Sequence, residues 1–211
     1  MPAPLDARER AQLCLRFDEL GPDAPTLCEG WATIDLAAHL VVRDRRPLAL
    51  PGTVLGGPLA WYTDRVTKQV RDQTPWAELV RLIRGGPSLG PVGLPGLDDV
   101  QNLSEFFVHH EDVRRANGMG PRGQLGALDD ALWSRLTVLG PLLTRRVPVG
   151  LILQAPGRAP RRAHPGAAPV VLAGTPGELV LWLFGRRTHA DVELDGPTDA
   201  LARLGAAQVG P

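Results

Sequence analysis

The stretch EFFVHHEDVRRAN, residues 105–117, sets two adjacent histidines, three carboxylates and two arginines beside two phenylalanines. The spacing predicts a single helix over roughly Asp98 to Asn117. Glu105 and His109 are four apart and Asp112 is seven from Glu105, so all three project from one helical face. A carboxylate and an imidazole so placed can chelate one divalent ion. The plainer alternative is a solvated face held by ordinary pairs such as Glu111 with Arg115. His110 and Glu111 begin the zincin pattern H-E-x-x-H, but Arg114 stands where the second histidine belongs, so a zincin-type protease is not supported.

Working outward, Thr33 is placed to cap a helix in which Leu36, His39, Leu40 and Arg43 fall on adjoining positions, ending before Pro47. His39 is flanked by Leu36, Ala37, Ala38 and Leu40, where a core face is expected. It is either a core histidine bonded to a carbonyl or a third ligand. If the two helices pack together, His39, Glu105 and His109 supply three metal ligands and leave a fourth position open. His110 and Asp112 then stand behind the ligands or on the surface.

The rest of the first half reads as helices. Asp6 and Glu9 form an N-terminal capping pair before the stripe Ala11, Leu13, Phe17 and Leu20, which stops at Gly21-Pro22. LAWYTDRVTKQV (59–70) is a helix, a shorter one follows Pro75, and GGPSLGPVGLPG (85–96) is a loop. These elements predict an antiparallel bundle over residues 1–122, with ligand sites on interior side chains. From GMGPRGQLG (118–126) the apolar period changes. A helix through Leu132, Leu136 and Leu139 precedes an alternating strand over VPVGLILQ (147–154) and a second over PVVLAG (169–174). Thr175, Pro176 and Glu178 form a capping box for another helix, HADVELDG (189–196) alternates as a strand, and PTDALARLG (197–205) closes with a helix. The fold class is α+β: a helical bundle followed by a small α/β domain over residues 123–211.

Lys plus Arg equals Asp plus Glu at 23 each, so no electrostatic footprint for nucleic acid or an anionic membrane is present. Cys14 and Cys28 are too few for a disulfide framework and lack C-x-x-C spacing, which fits a reducing compartment. No apolar run reaches the length of a signal core or a membrane span, and the expected location is the cytoplasm. Lys68 is the only lysine, in a composition whose Arg, Ala, Gly and Pro follow GC-rich codons. Trp31, Trp61, Trp76, Trp133 and Trp182 are expected to fill cores. Cys28, with no base beside it in sequence, reads as a small buried thiol rather than a nucleophile.

TLCEGWATIDLAAHL (26–40) followed by EFFVHHEDVRRA resembles the DinB-like metal-binding bundle. The branch it resembles is typified by mycothiol-dependent maleylpyruvate isomerase and related actinobacterial proteins of unassigned substrate. That branch holds its metal through a histidine in the GW…DLAAHL helix and the glutamate and histidine of an E-x-x-x-H helix, which implies His39, Glu105 and His109 here. Many other DinB-like proteins use three histidines, so Glu105 points to the isomerase-like branch. LVLWLFGRR (179–187) also resembles the W-x-x-G-R segment of that family's small C-terminal domain.

The resemblance implies a divalent metal, zinc first with nickel or iron compatible, and mycothiol or a similar thiol as co-reactant. The metal would lower the pKa of the thiol, and the thiolate would attack a small electrophile in an isomerisation or S-transfer. Arg186 in the W-x-x-G-R segment is the candidate for clamping a substrate carboxylate, its alternative role being a cation at a helix C-terminus. No residue is assigned a catalytic proton-transfer role. A non-catalytic protein, in which metal braces the bundle or reports a ligand, stays open as the alternative. The expected partners are a small thiol and a small electrophile, with no nucleic acid and no membrane. The oligomeric state is open, a dimer being compatible.

Overall fold

The computed structural model describes residues 3–45, 58–86 and 97–210, with side chains from 63 and from 102 onward in the second and third stretches. Most of the loop expected over 85–96 and the side chain of Trp61 lie outside the described residues. The chain divides into two compact units, Met1–Gly120 and Pro121–Pro211.

The first unit holds α1 (Leu5–Leu20), α2 (Thr33–Arg45), α3 (Pro58–Gln73), α4 (Trp76–Arg84) and α5 (Leu97–Ala116). Helix α1 packs on α5 and α4, and α2 packs on α3 and α4. Four helices each turn an i,i+4 pair into one core: Leu13 with Phe17, Leu36 with Leu40, Val66 with Val70, and Leu79 with Ile83. Phe106 and Val113 of α5 complete it, and Trp76 meets Phe17 edge-on at 5.4 Å between centroids. Each such side chain removed from water contributes about 1.5–3 kcal/mol.

Both expected helix starts are built differently. Helix α1 opens on Pro4 with no side-chain cap; Asp6 sits in its first turn, and Glu9 is buried instead of reaching back to the terminus. At α2 the Thr33 hydroxyl donates to the Gly21 carbonyl, and Asp35 Oδ2 accepts from the Ala32 N–H at 3.0 Å. The carboxylate two residues on therefore does the capping.

The second unit holds α6 (Ala127–Leu143), β1 (Leu151–Gln154), β2 (Arg161–His164), β3 (Val170–Ala173), α7 (Pro176–Leu183), β4 (Glu193–Asp195) and α8 (Thr198–Ala206). The sheet order is β2-β1-β3-β4, with β1 and β3 parallel and the outer pairs antiparallel. Leu151 pairs with Val170 and Leu153 with Leu172, and all four are fully buried. The expected strand over 147–154 is shorter than its apolar alternation. Val147 and Val149 are buried but precede the ladder, and Gly150 after them meets Gly166 too closely for a side chain at either position. A Cβ on Gly150 would lie 2.7 Å from the Gly166 carbonyl oxygen.

Strand β2, RRAH, has no apolar alternation to announce it. Ala163 faces the core, while the Arg161 guanidinium lies over the Trp133 ring at 4.6 Å, and such cationic outer strands suit a sheet edge. Glu178 does not close a capping box; its Oε2 accepts from the Asp191 N–H at 2.8 Å and ties the start of α7 to the approach of β4. Strand β4 is exposed along its length, Leu194 included, so its alternation does not mark a buried face.

Candidate metal centre

Helix α5 answers the question raised by its composition: its ionisable run is not a solvated face. Phe106, Phe107 and Val108 are buried, and so are His109, His110, Glu111 and Asp112 after them. Charges so placed need partners, and each has one. Glu111 accepts from Arg114 Nε at 3.0 Å and from Arg115 Nε at 2.7 Å, so the pair expected at the surface is an interior one. His110 Nδ1 meets Glu9 Oε2 of α1 at 3.1 Å. Asp112 Oδ2 meets His109 Nδ1 at 2.9 Å and Cys28 Sγ at 3.3 Å.

On its other nitrogen, Nε2, His109 faces Glu105 Oε2 at 3.3 Å. Helix α2 brings His39 to the same place, its ring 5.4 Å from that of His109 and inclined at 73°. One ligand atom from each of His39, Glu105 and His109 lies within 4.8 Å of the others. Among the described residues no fourth side chain joins that group, and Cys28 with Asp112 forms a separate cluster on the Nδ1 side of His109.

The electrostatics hold Glu105 and His109 each in its charged form. Burial alone would raise the Glu105 carboxyl, but the hydrogen bond and charge of His109, with Arg43 and His39, hold it down at about 2. Burial alone would lower His109, but its contacts with Asp112, Cys28 and Glu105 raise it well above the usual imidazole range. With Asp112 accepting the Nδ1 proton, Nε2 and the Glu105 carboxylate face each other as two acceptors unless a proton or a metal stands between them. The donor set fits a divalent ion: two imidazole nitrogens and one carboxylate oxygen, with a carboxylate behind one imidazole in the manner that orients metal-bound histidines.

Of the residues singled out in the sequence, His39, Glu105, His109 and Asp112 come together, while His110 turns to α1. Arg186 follows α7 in the C-terminal unit, where its NH1 donates to the Phe184 carbonyl at 2.7 Å. Cys28 is half-buried, a thiol donating to a carboxylate. Arg43, which the sequence marks only as a position on the α2 face, stands one turn after His39 and joins the site. Its Nε lies 3.9 Å from Glu105 Oε2, and its NH2 donates to Asn102 at 2.7 Å. Trp31 packs half-buried against the core of the first unit, and its indole also lies 5.4 Å from the His39 ring. Spacing makes Glu9 a cap, and only the packing of α1 on α5 makes it the partner of His110.

Fold and cluster together define a mixed α+β protein whose helical unit carries a candidate three-ligand metal position. No family model and no curated protein matches the chain. Two solved structures are similar: mycothiol-dependent maleylpyruvate isomerase, at 17% identity over 90% of each chain with a TM-score of 0.50, and a histidine-to-alanine mutant of that enzyme, at the same identity and coverage with a TM-score of 0.52. At that identity the likeness is one of fold. No helix among the described residues is long and apolar enough to cross a membrane.

Proposed function

We propose that the chain is a divalent-metal protein that uses mycothiol or a similar small thiol in an isomerisation or S-transfer on a small electrophile. One observation carries the reading: His39, Glu105 and His109 converge within 4.8 Å, with no fourth described side chain in the group. Zinc takes such nitrogen and oxygen donors at about 2.0–2.2 Å, and nickel and iron accept the same set. An ion there with an open position would lower the pKa of an arriving thiol, and a thiolate adding to an electrophilic double bond permits rotation and elimination or release of the adduct.

The chain's own residues supply orientation and charge. Asp112 holds the Nδ1 proton of His109 and so aims Nε2 at the shared position. Arg43 favours the ionised form of Glu105. Trp31 covers one side of His39. Arg186 is proposed to clamp a substrate carboxylate. In this reading the N-terminal unit is a DinB-like bundle of the actinobacterial isomerase-like branch, and the C-terminal unit is that family's small domain. The protein works in the cytoplasm on small molecules.

A metal kept only to brace the helices would call for a closed shell. Cys28 and Asp112 approach the far nitrogen of His109 instead, which favours the open position. Elemental analysis of the purified protein should give one divalent ion per chain, lost in His39→Ala and in His109→Ala; unchanged stoichiometry in both variants defeats the site. Mycothiol should perturb the absorption of cobalt-substituted protein and release protons. A silent spectrum at millimolar thiol, with cobalt bound, leaves only the bracing role.

A further inference from the structure

A cavity of about 430 Å³ lies between α2 and α3, with Trp31 and His39 on one wall and Thr63, Thr67, Lys68 and Arg71 on the other. Small-molecule sites run from about 300 to 1,000 Å³. His39 belongs both to this wall and to the cluster with Glu105 and His109, so the cavity borders the candidate metal position. The periodicity of α3 builds the wall: Val66 and Val70 go to the core, and Thr67, Lys68 and Arg71 fall on the neighbouring face.

The two cations there are not equivalent. Arg71 gives NH1 to Asp35 Oδ1 and Nε to Asp72 Oδ1, each at 2.9 Å, so its charge is matched within the protein. The Lys68 ammonium has no hydrogen bond or ion pair among the described residues. It is also the chain's only lysine. Asp64, one turn earlier and on the same wall, makes no such pair either.

We propose that this cavity is the subsite for a monoanionic, carboxylate-bearing ligand, with the Lys68 ammonium on the carboxylate and the ligand's metal-seeking atom directed past His39. The inference rests on the metal-site reading above and adds to it a ligand class and a selecting residue. One unmatched cation, with no second open cation beside it, fits a single carboxylate better than a phosphate dianion. The Asp64 carboxylate opposes a polyanion and accepts from a hydroxyl, amide or ammonium on the same ligand. The Trp31 indole offers apolar surface beside His39.

The test compares mercaptopropionate with mercaptopropanol, which share a thiol and a chain length and differ in the carboxylate. Both should change the absorption of the cobalt-loaded full chain, mercaptopropionate binding about fivefold more tightly at low salt, near the upper range for an exposed pair. That preference should shrink as ionic strength rises. Zinc-loaded protein labelled isotopically at lysine Cε gives a single Lys68 signal, which mercaptopropionate should shift and mercaptopropanol should not. Lys68→Met should equalise the two thiols by weakening mercaptopropionate alone. Equal affinities in the native chain, a preference that survives Lys68→Met, or an unmoved Lys68 signal while cobalt reports binding would overturn the subsite and leave the metal site standing. Cobalt that is bound but silent to both thiols would remove the functional reading and the subsite with it.

Discussion

Helix α7 and the described side chains of helix α5 are both mostly buried, and they reach that state by opposite chemistry. In α7, Leu179, Val180, Leu181, Trp182 and Leu183 are at most 1% exposed, and the single carboxylate, Glu178, ties down a backbone N–H. In α5, three apolar residues are followed by two histidines and two carboxylates that are buried as well. Apolar burial needs no particular partner. Ionised groups cost several kcal/mol each to remove from water, and a well-packed apolar replacement is often no less stable. A helix that buries charge so heavily is organised around something other than stability, and positions that break local rules are where function is expected.

The contrast can be broken in order of effect. Trp182→Ala should destabilise the C-terminal unit by about 3–5 kcal/mol, read by chemical denaturation. Metal content should not change; metal loss alongside would mean that the two helices are not independent in the way their chemistry implies. Glu111→Ala should cost about 3 kcal/mol, because Arg114 and Arg115 keep their charges without the carboxylate between them. A cost below 1 kcal/mol in the same denaturation would place that trio in effective contact with water. Asp112→Asn keeps an acceptor for His109 Nδ1 but removes its charge, and should weaken metal binding by about 10–100-fold in a chelator competition.

A smaller effect sharpens the same contrast inside the first unit, at a thiol in the apolar core. Burial, partly offset by Arg84, pushes Cys14 up to about 11. The folded chain therefore keeps a proton that the unfolded chain releases. That stability is complete below pH 9 and is lost as pH rises toward 11, by about 1 kcal/mol at pH 10. Denaturation of the native chain against Cys14→Ala across pH 8 to 10.5 isolates it, and parallel curves would show that the thiol is not desolvated.

The helices of the first half were legible because i,i+4 apolar pairs such as Leu36 with Leu40 repeat the helical period whatever they pack against. His39, Glu105 and His109 could be named together because two share a helix face and the third interrupts an apolar one. Strand β2 was not legible: RRAH forms an edge because β1 offers it a ladder and Trp133 offers Arg161 a ring, neither of which lies nearby in sequence. Glu9 and Glu178 mislead for the same reason. A carboxylate in a first turn fits a cap by spacing, but Glu9 finds His110 across 101 positions and Glu178 finds the Asp191 amide. Cys28 escaped because its partner, Asp112, is 84 positions away.

The convergence of His39 on Glu105 and His109 has a chain-entropy side. Glu105 and His109 remain neighbours in any helical fragment, but His39 reaches them only after the 66 positions between 39 and 105 are closed into a loop. Closing that loop costs roughly 3–4 kcal/mol of entropy, a charge that folding meets before any ion arrives. The fold thus lends the third ligand an effective concentration that no peptide has. An isolated α5 peptide should hold a divalent ion a few hundredfold more weakly than the whole chain. Urea that separates His39 from α5 should release the ion before α5 itself unwinds.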